Sequence, residues 1–434
     1  MPLVLSSTKK PLMPCTPKRA RLLLERKKAA VFRIYPFTII LKDRADGETQ
    51  PLEFKADPGS KTTGITLVLN GKSEKKVVTA INLQHRGQTI KSNLEKRRGV
   101  RRGRRNRHTR YRAPRFDNRS RFKGWLPPSL MSRVYNVQTW INRLSKFSPI
   151  SLCAVETVRF DMQKMESPEI SGAEYQQGEL LGYEVREYLL EKWNRKCTYC
   201  EKENIPLQIE HITPRSKGGS NRVSNLCLAC EKCNQKKANK DIKDFLKTKP
   251  ELLKKIKTHL QKPLKDAAVV NATRYAIGNV VKSIGLPTTF WSGGRTKYNR
   301  IQQGYKKDHW IDAACVGESG ENVVIPKKLK AKLITATGHG DRQMCLVNKH
   351  GFPRSKPSAS KYVFGFQTGD IVTAKVTKGK KIGKYIGKLA VRSSGSFNIS
   401  TSKETVQGIS HLFCKKIHSM DGYSYSHEEK KCHS

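Results

Sequence analysis

The stretch Glu53–Leu69 reads EFKADPGSKTTGITLVL. Apolar residues flank a Pro-Gly-Ser turn, and this pattern predicts two strands joined by a tight turn, with the carboxylate of Asp57 at the bend. A second apolar run, Ile150–Val155, predicts a buried strand that ends on Glu156. Each of these stretches therefore places one acidic side chain at the end of a strand.

Much later in the chain, Lys307–Val316 reads KDHWIDAACV and predicts a helix. His309 and Asp312 are three residues apart, so they share a face of that helix. Two carboxylates at strand ends and an acidic helix face can assemble a site that holds two cations about 3.5 to 4 Å apart for in-line phosphoryl displacement. Taken singly, each acid is better explained as a structural residue or a cap. The ordered combination of strand, strand and helix is what indicates a site.

Two Cys-x-x-Cys pairs form the most specific motif of the chain. Cys197 and Cys200 form the first pair, and Cys230 and Cys233 repeat the spacing 30 residues later. Four thiolates in this arrangement predict a closed tetrahedral zinc site. The alternative is a set of reduced cysteines with no metal. Cys227 is a rival ligand whose spacing to Cys230 is conventional only if Cys233 is unused.

The residues between the two pairs carry polar groups suited to hydrolysis. Leu207–His211 predicts a short strand that ends on Glu210 and a histidine, and a turn and Asn225 follow. Asn234 directly follows the last cysteine and is expected to open a helix through Phe245. A carboxylate and an amide are hard oxygen ligands, which suit Mg²⁺ better than a second zinc.

This region resembles an HNH nuclease module. The resemblance implies that His211 is the base that activates water, that Glu210 and Asn234 hold one Mg²⁺, and that Asn225 braces the loop carrying His211. A zinc ribbon that only binds nucleic acid is the alternative. It does not explain why the acid–histidine pair and Asn234 occur together.

Arg86–Arg121 is the most basic segment of the chain. Fifteen of its 36 residues are Lys or Arg, and only Glu95 and Asp117 oppose them. Such a density gains free energy against phosphates by counterion release, so the segment is expected to be a helix that binds nucleic acid. The alternative is a solvated basic surface. The candidate phosphate contacts are Arg97, Arg98, Arg101, Arg102, Arg104, Arg105, Arg107, Arg110 and Arg112.

The composition agrees with a nucleic-acid partner. Among the 434 residues, 85 are Lys or Arg and 36 are Asp or Glu, giving a net charge of +49. No apolar stretch approaches the roughly 18 residues of a membrane span, and the first residues lack the apolar core of a signal peptide. We therefore expect a soluble protein of a reducing compartment, the prokaryotic cytoplasm, acting at the nucleoid, with no membrane partner.

The order of the acidic residues resembles a split RuvC nuclease, which has an RNase H-like fold. An arginine-rich bridge helix follows its first segment, and the HNH module is inserted between its second and third segments. The opening Pro11-Leu-Met-Pro14 matches the signature of the N-terminal domain of IscB proteins, compact RNA-guided nucleases of transposons that look like relatives of the large CRISPR effectors. On these motifs the sequence resembles the IscB family over most of its length.

The resemblance implies both a partner and a mechanism. The protein would be a monomer that carries a guide RNA (omega RNA), opens duplex DNA beside a short target-adjacent motif and cuts both strands. The HNH site would cut the guide-paired strand and the RuvC site the displaced one. Asp57, Glu156 and Asp312 would hold Mg²⁺, with His309 as a base or as a neighbour of the metal.

The expected fold class is a multidomain α/β protein. Its parts are a split RNase H-like (RuvC) core, an inserted zinc-bound ββα HNH module, the bridge helix, a small N-terminal domain and a C-terminal β-barrel-like domain, predicted from alternating apolar and polar residues between Gly turns. The expected segments are an N-terminal domain (1–48), RuvC segments (49–85, 122–170 and 262–318), the bridge helix (86–121), linkers (171–194 and 247–261), the HNH module (195–246), a β-rich target-adjacent-motif domain (319–413) and a polar tail (414–434).

Two other functions remain open from the sequence. A guide-free HNH homing or restriction nuclease explains the zinc module but leaves the arginine-rich segment and the separate set of acids unaccounted for. A non-catalytic RNA-binding protein explains the charge but gives no reason for matched acids at strand ends.

Overall fold

The structure is a computed structural model. It describes residues 1–71, 74–107, 125–157, 192–219, 223–260, 265–340 and 353–427, together with Arg186, Leu189, Leu190, Arg342, Met344, Cys345, Leu346 and Asn348. Within these residues, no helix combines the length and the apolar character that crossing a membrane requires.

The described chain contains both helices and strands. The helices are α1 (Pro17–Glu25), α2 (Gly87–Asn106), α3 (Pro128–Phe147), α4 (Glu231–Lys237), α5 (Ile242–Phe245), α6 (Pro250–Leu260), α7 (Lys265–Lys282), α8 (Gly293–Gln302) and α9 (His309–Ala314). The strands are β1 (Leu3–Leu5), β2 (Pro11–Leu12), β3 (Ala29–Arg33), β4 (Thr38–Leu41), β5 (Leu52–Pro58), β6 (Thr62–Asn70), β7 (Lys75–Gln84), β8 (Ile150–Glu156), β9 (Leu207–His211), β10 (Leu226–Cys230), β11 (Thr288–Trp291), β12 (Val323–Val324), β13 (Lys332–Ala336), β14 (Tyr362–Val363), β15 (Phe366–Gln367), β16 (Ile371–Val376), β17 (Gly383–Ala390), β18 (Ser396–Ser400), β19 (Thr405–Ser410), β20 (Cys414–His418) and β21 (Tyr423–His427).

An eight-stranded mixed sheet forms the centre of the fold, with the order β11-β8-β5-β6-β7-β13-β21 and β12 paired to β7. The meander β5-β6-β7 is antiparallel, whereas β8 is parallel to β5 and β11 is parallel to β8. The strands predicted around the turn at 58–61 and at 150–155 are therefore confirmed. Of these, β5 and β8 are direct neighbours and run parallel, so their carboxyl ends lie at the same edge of the sheet.

The two faces of this sheet pack against different helices. On β5, Phe54 and Ala56 belong to the main core with residues of α3 and α7, including Trp140 and Ile277. Alternate residues of a strand point to opposite faces, so the residues between them face α9. A smaller core that includes Val68, Val77 and Ala314 fills that side.

The N-terminal residues form a four-stranded sheet of order β2-β1-β4-β3, with a small core around Val4 and Ile39. Helix α1 begins where the side chain of Thr16 accepts a hydrogen bond from the Arg19 amide, and Pro17 occupies its first position. Both features are typical of helix starts.

The zinc-motif region forms a separate unit. Strands β9 and β10 pair antiparallel, α4 follows directly, and a core including Leu207, Leu228 and Ile256 surrounds them. The strand predicted at 207–211 is confirmed. The predicted single helix through Phe245 is wrong, because α4 ends at Lys237 and Ala238 has a positive φ of 45°, which breaks the helix before α5.

The C-terminal region forms an antiparallel sheet of order β19-β18-β17-β16-β20. The alternating patterns at 370–376 and 384–392 form β16 and β17, as the sequence predicts. The pattern at 361–366 is instead divided by a turn at Phe364 and Gly365, both of which have a positive φ, and the barrel-like closure is not found among the described residues. The reason is the short turn His411–Phe413, which carries the chain across the sheet so that β20 pairs with β16 and leaves β19 at the other edge.

Residues 414–427 are not the polar tail that the sequence suggests. Strand β20 completes the C-terminal sheet, and β21 returns to the central sheet, where it pairs antiparallel with β13 and Tyr423 lies opposite Ala336. Tyr423 and Tyr425 alternate with serines and pack their rings edge-on against Trp140. The composition of residues 414–427 is polar overall, but the aromatic rings at alternate positions bury apolar area against the core, and this explains why the segment is ordered as a strand. Residues 428–434 lie outside the described part.

Candidate metal centres and catalytic residues

The four cysteines of the two pairs converge on one point. Their sulfur atoms all lie within 4.8 Å of one another, and Cys200 Sγ is 3.8 Å from Cys230 Sγ. Tetrahedral zinc with Zn–S bonds of about 2.3 Å places its sulfurs about 3.8 Å apart, so the cluster fits zinc. Burial and the neighbouring Cys230 and Cys200 raise the pKa of the Cys233 thiol, a condition that a bound cation would reverse.

The rival ligand Cys227 is not part of this cluster. It is fully buried on β10, and its Sγ lies 3.5 Å from the hydroxyl oxygen of Tyr199. Burial raises the pKa of Cys227 to about 12. The sequence alternative in which Cys227 replaces Cys233 is therefore wrong.

Strands β9 and β10 position the polar residues of the module. Leu226 pairs with His211 and Cys227 with Glu210, so the acid and the histidine lie beside the strand that leads to the third cysteine. Asn225 spans the next loop, because its Oδ1 accepts from the Thr213 amide at 2.8 Å and its Nδ2 donates to the Thr213 carbonyl at 3.0 Å. This side chain fixes the chain immediately after His211.

A buried lysine that the sequence does not single out lies beside these residues. Lys237 is completely buried, and its Nζ donates to Glu210 Oε1 at 2.6 Å and to the His211 carbonyl at 2.7 Å. It follows Asn234 by three residues and so shares its face of α4. Asn234 Nδ2 donates to Gln208 Oε1 at 2.7 Å. The second Glu210 oxygen and the Asn234 amide oxygen are hard donors suited to Mg²⁺.

A second group of acidic residues lies at the edge of the central sheet. Glu156 is the last residue of β8 and Asp57 the next to last of β5; the two strands are parallel neighbours, and Ala56 pairs with Val155. Helix α9 packs over this edge, and His309 Nδ1 lies 3.7 Å from Asp57 Oδ2. We call Asp57, Glu156, His309 and Asp312 the carboxylate site.

The acids of the carboxylate site are buried and repel one another. Burial, then Asp57 and Asp312, raise the pKa of Glu156 well above its usual value, although a hydrogen bond from Thr296 opposes this. Burial and Asp57 raise the pKa of Asp312 to about 6. A divalent cation would relieve this repulsion, so the donor set fits Mg²⁺. Among the described residues, only the four cysteines form a group of three or more ligand atoms all within 4.8 Å.

Two cations of the chain face Asp312. Arg300 Nε on α8 lies 2.7 Å from Asp312 Oδ1, without the alignment of a hydrogen bond, and Lys307 Nζ lies 4.0 Å from Oδ2. The sequence pattern of aromatic and cationic residues on 296–307 indicates nucleic-acid contacts. In the structure, Thr296, Asn299 and Arg300 are buried on the inner face of α8, whereas Tyr298 and Lys306 are exposed.

Gly64 allows α9 to approach the sheet. A Cβ atom added to this residue of β6 would lie 1.8 Å from the His309 carbonyl oxygen. Any side chain would therefore displace the start of α9, which carries His309 and Asp312.

A neutral histidine, His85, forms a hydrogen bond with Thr63 on the same strand, β6. The Tyr423 hydroxyl donates to Asn136 Oδ1, and Asn136 Nδ2 donates to His85 Nδ1 at 3.1 Å. His85 Nε2 therefore carries the proton and donates to Thr63 Oγ1 at 2.7 Å. Burial, then the charge of Arg133, lowers the pKa of His85 to about 3.

Helix α2 contains the described part of the arginine-rich segment. Arg97, Arg98, Arg101, Arg102, Arg105 and Arg107 are exposed, and Arg104 lies on the same helix. The only described acid within the segment, Glu95, lies 4.0 Å from Lys91. Arg110 and Arg112 lie outside the described residues, as does most of the predicted linker 171–194.

The solved structures that match the chain include Cas9 proteins. The Type II-C Cas9 enzyme from Actinomyces naeslundii matches with a TM-score of 0.16 and 16% identity, covering 47% of this chain and 28% of that one. Streptococcus thermophilus Cas9 in complex with the AGAA PAM matches with a TM-score of 0.20 and 13% identity, covering 61% of this chain and 32% of that one. The chain thus spans about a third of the length of these proteins. None of the curated proteins matches it.

Two family models match the sequence. Residues 3–178 match the RRXRR protein family, and residues 197–249 match the HNH endonuclease family. The second match contains the four-cysteine cluster and His211. An RRXRR region followed by an HNH endonuclease domain is consistent with the IscB-like protein that the sequence motifs indicate.

Proposed function

We propose that this protein is an RNA-guided DNA endonuclease that cuts each strand of a duplex at a separate site. One observation carries the proposal: in addition to its HNH domain, the chain has a second buried acidic site, which is built from β5, β8 and α9. Its strand order, a three-stranded meander extended by two parallel strands, supports an RNase H-like (RuvC) core.

The two sites offer the groups that phosphodiester hydrolysis requires. In the HNH domain, His211 would take the proton from the attacking water, while Glu210 and Asn234 would hold one Mg²⁺. In the carboxylate site, Asp57, Glu156 and Asp312 would hold Mg²⁺. Bound Mg²⁺ supplies positive charge that stabilises the pentacoordinate phosphate and the leaving oxygen.

Several features of the chain support RNA as the guide. Helix α2 presents an exposed row of arginines with almost no opposing acid, and the charge of the chain is +49. We infer a single protein chain in a ribonucleoprotein, in which omega RNA pairs with one DNA strand.

Strand-specific labelling of a target duplex tests the proposal. Asp57→Ala should leave a nickase for the guide-paired strand, and His211→Ala a nickase for the displaced strand. Loss of both cuts in either variant, with RNA and DNA binding retained, would contradict the two-site assignment. RNA that copurifies with the protein and is required for cleavage supports the guide, whereas cleavage after complete RNase treatment would indicate a guide-free nuclease.

A further inference from the structure

Strand β5 contributes more to the carboxylate site than the side chain of Asp57. Glu53, Lys55 and Asp57 occupy alternate positions of the strand and therefore share the face that α9 covers. Asp57 lies near the beginning of α9, where it contacts His309. Lys55 lies near the end of α9. One strand thus contacts both ends of the helix that carries Asp312.

Lys55 holds the end of α9 by direct hydrogen bonds. Its side chain is completely buried, and its Nζ donates to the Ala314 carbonyl at 3.1 Å and to the Val316 carbonyl at 2.7 Å. The last carbonyls of a helix lack partners within the helix and attract cations. Glu53 Oε2, 3.8 Å away, offsets part of the cost of burying the ammonium. A buried lysine is uncommon unless it is paired in this way.

Asn299 binds the carbonyls of residues 315 and 317, which alternate with those that Lys55 binds. Its Nδ2 donates at 3.0 Å to both the Cys315 and Gly317 carbonyls, and its side chain is almost fully buried. Lys55 thus donates to the carbonyls of residues 314 and 316, and Asn299 donates to those of residues 315 and 317. Each of these four consecutive carbonyls therefore accepts a hydrogen bond from a buried side chain. Asn299 also shares the inner face of α8 with Thr296 and Arg300, which contact Glu156 and Asp312.

We propose that Lys55 and Asn299 are positioning residues that fix α9 along β5 and thereby set the separation of Asp312 from Asp57. Helix α9 has only six residues, too few to be stable without tertiary contacts. Its position is therefore determined by what holds its ends. This inference rests on the proposed function of the carboxylate site.

Lys55→Met and Asn299→Leu remove the donors while keeping most of the side-chain volume. Each should accelerate amide hydrogen exchange over residues 309–317 but not over β6 or the zinc module. Displaced-strand cleavage should fall about 10- to 100-fold, the usual effect of losing a group that orients a metal ligand. It should also require more Mg²⁺ for half-maximal rate. Cleavage of the guide-paired strand should stay within twofold of wild type.

Lys332→Met is the matched control, because Lys332 is a half-buried lysine of the same sheet, on β13. It should alter neither exchange at 309–317 nor the Mg²⁺ requirement. Unchanged exchange and an unchanged Mg²⁺ requirement in Lys55→Met would overturn the proposal. Exchange that accelerates throughout the sheet, with both cuts reduced together, would also overturn it, because it would show a general stabilising role. If Asp57→Ala retains displaced-strand cleavage, the proposed function itself is wrong and this inference falls with it.

Discussion

The ammonium group of Lys237 lies 2.6 Å from Glu210 Oε1, and both side chains are buried in the HNH domain. The same ammonium donates to the carbonyl of His211. One lysine therefore holds both the acid expected to bind Mg²⁺ and the backbone of the expected base. A buried charge with good partners contributes little net free energy, but removing one partner leaves the other uncompensated.

Lys237→Met should consequently destabilise the HNH domain by about 3 to 5 kcal/mol, because it leaves the Glu210 side chain buried without its partner. Amide exchange of β9 and β10 in the complete protein measures the loss. Lys236→Met is the matched control, because the side chain of Lys236, the preceding residue, is exposed. Replacing it should change the stability by less than about 0.5 kcal/mol. Equal protection in the two variants would show that the buried pair has no structural role.

Metal analysis should find one zinc ion per chain, and Cys200→Ser or Cys233→Ser should lose it. Guide-paired strand cleavage should then fail, because Cys233 directly precedes Asn234 on α4. Displaced-strand cleavage should remain measurable, since the carboxylate site lies on another sheet. Cys345→Ser, outside the cluster, should retain zinc. Active wild-type protein without zinc would refute the assignment.

Gly64→Ala should displace the start of α9, because the added Cβ would meet the His309 carbonyl oxygen at 1.8 Å. We expect displaced-strand cleavage to fall by about 100-fold, as for a catalytic group misplaced by about 1 Å. Gly294→Ala on α8 is a suitable control, because its Cβ would be 3.8 Å from Ser292 Oγ, an ordinary van der Waals contact. Similar activity of the two variants would show that α9 tolerates a shift.

Replacing Arg101, Arg102, Arg104 and Arg105 with Gln should weaken guide RNA binding and flatten its salt dependence. If all four contact phosphates, the slope of log K against log salt should decrease by about 3 to 4, at roughly 0.7 to 0.9 per contact. The four Arg→Lys changes keep the charge and should preserve the slope. An unchanged slope in the Gln variant would identify α2 as a solvated surface.

His85 should remain neutral from pH 8 down to about pH 4, because burial lowers its pKa to about 3. An unfolded histidine has a pKa of about 6.5, so the unfolded state binds more protons between these values. The contribution of His85 to stability is therefore complete above pH 6.5 and is lost as the pH falls toward 3. Ring ¹⁵N shifts measured against pH test this. A midpoint between pH 6 and 7 would contradict it.

The sequence predicted the strands around Asp57, the strand that ends on Glu156 and the cluster of four cysteines, because each of these depends on local alternation or spacing. It did not predict the contact of Lys55 with residues 314 and 316, which are some 260 positions away. It also attributed Arg300 to nucleic-acid binding, since a cation on a helix can serve a phosphate or a neighbouring carboxylate equally well. Only tertiary packing distinguishes these cases.

The pairing of Ala336 with Tyr423 has a consequence for the C-terminal sheet. Residues 337–422 leave the central sheet and return to it at hydrogen-bonded neighbours, so this stretch is an excursion with adjacent ends. Because the chain connects this stretch to the central sheet at both of its ends, the stretch rotates less freely than a domain attached by a single connection. The same geometry makes the excursion removable, because a tight turn of two residues can join adjacent antiparallel strands. A shortened chain of this kind would keep β13, β21 and the edge-on contact of Tyr425 with Trp140 while lacking the whole C-terminal sheet.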